Sequence, residues 1–169
     1  MARGDLQTIG INGGKQEFRV AASATRGYSG DAIMCTATYS SGVANVNTCV
    51  VLTDGKPTIA TDNFVGIEAT DMIVNSAGTV QASKFFVTVP IAWVTRIRGR
   101  GKTKANIDTD TELLGILWDT TQFDLTSGVY TIDDTTAQDT AGLVIRNGNI
   151  EVGTLDVVVD GRVLRADVA

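Results

Sequence analysis

This chain is a series of short β-branched segments, punctuated by glycine-containing turn signals. That pattern limits its fold more than any other feature. Thr occurs 23 times, and Val and Ile fill most of the apolar runs. Such side chains fit a pleated surface and lose rotamer freedom in helices. Asp54-Gly55, Ala77-Gly78, Ser127-Gly128, Asn147-Gly148 and Asp160-Gly161 separate the runs. Asn, Asp and Gly tolerate positive φ, so these pairs favour tight hairpins. Helical periodicity with caps is weak, and its best windows are Thr109 to Trp118 and Thr135 to Ala141.

Strands are expected at Glu17–Ala22, Ala32–Tyr39, Val46–Leu52, Thr58–Ala60, Phe64–Glu68, Phe85–Arg98, Glu112–Trp118 and Val129–Ile132. Further candidates are Gly142–Arg146, Ile150–Val152, Leu155–Val159 and Arg162–Ala166. The expected fold is all-β, an antiparallel β-barrel or β-sandwich with short hairpins. Residues 1–15 read as a flexible N-terminal arm, because Gly10, Gly13 and Gly14 accompany little apolar pattern. Residues 16–169 read as a single β-domain.

Several registers follow. Folding symmetrically about Gly42 sets Cys35 opposite Cys49, close enough for a cross-strand bridge. Two small, reduced core residues are the other reading of that pair. Across Asn147-Gly148, Ile145 is expected to face Ile150. Across Asp160-Gly161, Val158 is expected to face Val163. That last hairpin is apolar on both faces, which suits a central strand or a subunit interface. Pro90 interrupts the alternating run from Phe85 to Ile97, since it cannot donate to a ladder. The run is therefore an edge, a bulge or two strands in series.

Composition narrows the function. A chain of 169 residues suits one domain with a sizeable core. With no His, Ser-His-Asp and Cys-His chemistry is excluded, and so is the commonest metal ligand. No enzyme, metal or cofactor is expected, and no small-molecule substrate. No apolar run approaches the ~18 residues of a membrane span, and the first residues lack the apolar stretch of a secretory signal.

The net charge of −5 hides a division. Residues 1–104 hold 11 basic and 7 acidic side chains, whereas residues 105–169 hold 3 basic and 12 acidic. Arg96, Arg98, Arg100, Lys102 and Lys104 alternate, so an extended backbone points all five cations one way. They form a candidate protein-contact strip for an acidic surface, with the acidic stretch of a neighbouring copy as one possibility. The alternative is a solvated device that protects an edge strand. The net charge and the lack of interleaved aromatics weigh against nucleic acid.

Other motifs fail on spacing. Gly99-Arg-Gly-Lys-Thr103 lacks the upstream glycine of a phosphate-binding loop, because Arg96 stands there. Asp108-Thr-Asp-Thr-Glu112 lacks the turn glycine of a calcium loop. Arg3-Gly4-Asp5 is a three-residue match that arises easily by chance.

Four phrases carry a family likeness: Ser29-Gly-Asp31, Phe64-Val-Gly-Ile-Glu68, Asn75-Ser-Ala-Gly-Thr-Val80 and Leu114-Gly-Ile-Leu-Trp118. Together with the His-free, Thr/Gly/Val-rich composition, they resemble the capsid decoration (cement) proteins of tailed bacteriophages. The resemblance implies a virion structural protein on the capsid exterior, made in the host cytoplasm. It implies a homotrimer whose partner is the major capsid protein. On that reading the arm, with Arg3, Asp5, Leu6, Ile9 and Ile11, is a candidate capsid contact. The alternatives are another phage β-structural part (tail tube, head fibre or connector) and a carbohydrate-binding or adhesion module. An open groove lined by Trp93, Trp118 or Tyr130 would favour the module. An all-β enzyme would need convergent carboxylates in a pocket.

Overall fold

The computed structural model describes residues 6–20, 26–40, 43–52, 55–59, 64–81, 83–135 and 140–163. The chain is mostly β, arranged as two sheets. Strands β1 (Gln7–Ile9), β2 (Lys15–Val20), β3 (Ala32–Ser40), β4 (Val43–Val51), β5 (Phe64–Glu68) and β6 (Ser83–Thr88) come first. β7 (Arg96–Gly101), a helix α1 (Asp110–Ile116), β8 (Thr120–Thr121), β9 (Phe123–Thr126), β10 (Val129–Ile132), β11 (Leu143–Asn149) and β12 (Thr154–Val159) follow.

One sheet is a small barrel in the order β2-β4-β3-β5-β6, closed by pairing of β2 with both β4 and β6. The other runs β8-β11-β12-β7-β10-β9, and β1 adds to β7. Most pairings are antiparallel; β2 with β4 and β10 with β7 are parallel. One connected apolar cluster spans both sheets. Phe123 joins them, with its ring 6.0 Å from Phe64 and 6.1 Å from Tyr130. The buried Tyr130 hydroxyl donates to the Leu52 carbonyl at 2.5 Å, so the phenol enters the core with its polar tip satisfied.

Sequence patterns survive where both faces agree on burial. The Ser127-Gly128 hairpin forms between β9 and β10, with φ of 54° and 78° at its two central residues. The run from Phe85 becomes two strands in series, β6 and β7, separated by residues 89–95. β12 is central, between β11 and β7, which explains why it is apolar on both faces.

Several expectations are corrected, among them Ile150–Val152, which is turn, and Arg162–Ala166, whose residues 162–163 are turn and whose remainder lies outside the described residues. Glu112–Trp118 is not a strand. Thr109 and Glu112 form a reciprocal capping box, and that nucleates α1. Asn147-Gly148 is not a turn; β11 runs through it with an irregularity after Ile145, and the reversal falls at residues 150–153. Ile145 therefore faces Val157 rather than Ile150. Val158 faces Val144 and Arg96 rather than Val163, because β12 is claimed by neighbours on both edges. Of Thr58–Ala60, Thr58 forms an isolated bridge to Ala141 and Ala60 lies outside the described residues.

The reading of residues 1–15 as an arm also changes. From Leu6 onward the segment is held to the sheet. Leu6 is 3% exposed, and β1 pairs with the first half of β7. The physical cause is Gly99, where a Cβ would lie 2.7 Å from Leu6 Cδ2, so the bare glycine leaves the space that Leu6 fills.

Candidate protein-contact face

β7 alternates strictly. Ile97 and Gly99 face the core, so Arg96, Arg98 and Arg100 face outward, as the spacing implied. Asp156 stands directly across from Arg98 on β12. The Arg98 Nε donates to Asp156 Oδ1 at 2.7 Å, and Nη2 donates to Oδ2 at 3.0 Å. This forked bond, then the attraction of the carboxylate, raises the Arg98 pKa. Arg96 reaches the same carboxylate only at 3.5 Å. Asp156 is buried where the two guanidiniums meet it.

The rest of the strip is also engaged within the chain. Lys102 Nζ lies 2.7 Å from Asp124 and 3.8 Å from Asp133. Burial pushes the Asp124 carboxyl up, but hydrogen bonds from Lys102 and Thr126 outweigh it and leave the group below its usual value. Lys104 donates to the Glu151 carbonyl at 3.3 Å. Arg100 is exposed and also engaged. Mutual repulsion along the strip is thus relieved by acids of the same chain, and a partner is not needed for that purpose.

Two tryptophans flank this face. The Trp93 N–H donates to the Val159 carbonyl at 3.0 Å, and the Trp118 N–H to the Ile145 carbonyl at 2.8 Å. These are backbone amides, so each tryptophan's main chain is tied to an inner strand. Both backbones are left-handed, with φ of 62° and 76°. That conformation costs a bulky residue on the order of 1–2 kcal/mol. The rings are nevertheless 49% and 64% exposed. The Arg146 guanidinium lies 3.8 Å from the Trp118 ring centroid. Trp93, Val94, Arg96, Arg146, Asn147 and Val158 line an open groove, which Trp118 adjoins through Arg146. Two exposed tryptophans held on left-handed backbone beside arginines are a costly arrangement for a surface that meets only water.

Comparison with protein-family models, curated proteins and solved structures returned no match. Function is therefore argued from the face itself.

Other sequence candidates fall elsewhere. Arg3 and Asp5 lie outside the described residues. Leu6 is core, Ile9 is half-buried on β7, and Ile11 is 71% exposed. Cys35 is paired opposite Cys49 in the β3–β4 ladder, while their side chains lie outside the described residues. Tyr130 is buried and cannot line a surface groove.

Sequence reading missed a second feature. Glu68 is 2% exposed, and neither carboxylate oxygen has a hydrogen-bond partner. Burial, then the nearby charges of Asp31 and Asp71, push its pKa up to about 8. The neighbouring loops are clamped around it. The Gly30 N–H donates to the Glu68 carbonyl, and the Glu68 N–H to the Asp31 carbonyl, both at 2.8 Å. Gly27 packs so close that a Cβ there would overlap Glu68 Oε2. Among the described residues no group of three or more acids and cysteines is placed to hold a metal.

Proposed function

We propose that this protein is a virion structural component, a capsid decoration protein that binds the shell exterior and ties major capsid protein subunits together. The face between Trp93 and Trp118 is its protein-contact surface. The observation that supports this most is the pair of exposed, backbone-anchored indoles flanking Arg96 and Arg146. Trp and Arg are the residue types that most often dominate binding energy at protein interfaces. Arg96 and Arg146 are carried on β7 and β11, and both tryptophan backbones are hydrogen-bonded to the inner strands, so the face is pre-organised and little backbone entropy is lost on contact.

Co-sedimentation of the full chain with empty capsids tests the role. Saturable binding is expected, with at least a tenfold loss for Trp118→Ala. Absence of wild-type binding would remove the decoration role.

A carbohydrate-binding or adhesion module is the second reading, and one observation favours it. Trp93 opens onto a groove with Arg96, Arg146 and Asn147. An indole face with hydrogen-bond donors suits a pyranose ring. Quenching of tryptophan fluorescence by members of a glycan panel, lost in Trp93→Gly, would support this reading over the first.

A further inference from the structure

We propose that this protein self-associates head to tail, the acidic turn at residues 108–110 of one copy seating in the Trp93–Arg146 groove of the next. The groove has cationic donors to spare. Arg98 holds Asp156 in a forked bond, which leaves Arg96 a single long contact of 3.5 Å. Arg146 is stacked on Trp118, and among the described residues no carboxylate pairs with it.

The complementary patch is on the same molecule. Asp108 and Asp110 are exposed, and Leu114 on the helix that follows is 68% exposed. Acids beside an apolar side chain therefore match guanidiniums beside an indole, in charge and in hydrophobicity. Asp108 is also crowded by Glu112. The hydrogen bond between them, then their like charge, push the Asp108 carboxyl up. An arriving guanidinium would relieve that crowding.

The two patches cannot meet within one chain. Trp93 and Arg96 stand at the start of β7, whereas Lys104 and the acidic turn lie beyond its end. α1 runs from the turn to the Trp118 side of the groove, and its seven residues span about 10 Å. The pairing is therefore between copies. One patch meeting a different patch is a heterologous contact, which closes into a ring or continues as a filament.

This goes beyond the virion reading: it gives the Trp93–Trp118 face to a neighbouring copy, so a substitution there weakens capsid binding by dispersing the assembly. A chain that self-associates yet ignores capsids would keep this contact and lose the decoration role. A monomer that binds capsids would do the reverse.

The test is native mass and light scattering of the full chain at about 0.05 M and about 0.5 M salt. Wild type is expected to be a multiple of the chain mass at low salt, with at least tenfold weaker association at high salt. Arg146→Glu should give monomers, and so should Asp108→Lys combined with Asp110→Lys, each with an unchanged circular dichroism melt. Combining all three substitutions in one chain should recover part of the association, because the new acid at position 146 meets the new lysines while Arg96 still opposes them. A monomeric wild type at low salt would overturn the proposal. So would association that ignores both charge reversals, or a triple variant that stays monomeric. Loss of capsid or glycan binding in Arg146→Glu, with a monomeric wild type, would assign the groove to that partner instead.

Discussion

Asp156 lies directly across the ladder from Arg98 and accepts two hydrogen bonds from its guanidinium, at 2.7 and 3.0 Å. This one carboxylate neutralises the crowded start of the basic strip. Asp156→Ala would leave Arg96 and Arg98 adjacent on one strand with no counter-charge. Because the arginines are over two-fifths exposed, solvent screens much of the pair. The expected loss is about 1–2 kcal/mol in chemical denaturation, smaller at high salt. A loss that grows with salt would contradict the electrostatic account.

Glu68 should make stability fall with rising pH. Its folded pKa is raised to about 8 from the usual 4.5, so the native state keeps a proton that the unfolded chain releases. The contribution is fully present below about pH 4.5 and is lost as pH rises through about 8. Its size is on the order of 3–5 kcal/mol. Glu68→Gln should flatten the stability profile across this window and raise stability at pH 8 and above. A profile unchanged by the substitution would refute the assignment.

Leu6→Ala should cost about 2–4 kcal/mol, because it empties a closed site over Gly99. Deleting residues 1–11 should destabilise the fold further, since β7 also loses its β1 pairing. If either variant melts like wild type, residues 6–9 are a detachable arm after all.

Thr109→Ala should remove the side-chain half of the capping box, leaving the backbone bond to Glu112, and weaken α1 by about 1 kcal/mol. Hydrogen exchange would show faster amide exchange at residues 110–113, with β11 and β12 unchanged. Equal protection in the variant would show that tertiary packing alone holds the helix.

Local chemistry made several elements legible from the start. The Ser127-Gly128 turn reports its own positive φ preference, and the alternation at Arg96, Ile97 and Arg98 reports its own two faces. The opposition of Cys35 and Cys49 was readable because one short hairpin fixes it. Asn147-Gly148 misled because the ladder to β12 continues through it, pairing Asn147 with Asp156 and Gly148 with Leu155, which overrides a good local turn signal. Helix α1 was obscured by Leu113, Leu117 and Trp118, which suit a strand as well as a helix. Asp156 gave only a faint signal, a lone acid inside the run from Leu155 to Val159.

By itself the sequence determined the β class, the outward row of cations and the incompatibility with histidine chemistry. These depend on side-chain type and a two-residue period, both local properties. Only the tertiary structure decided that β12 is central, that Leu6 is core, that Arg98 and Lys102 are paired in place and that Trp93 and Trp118 flank one face. Each of those depends on which distant strands become neighbours. That choice is made by burying apolar faces against one another across the whole chain, and no local spacing encodes it.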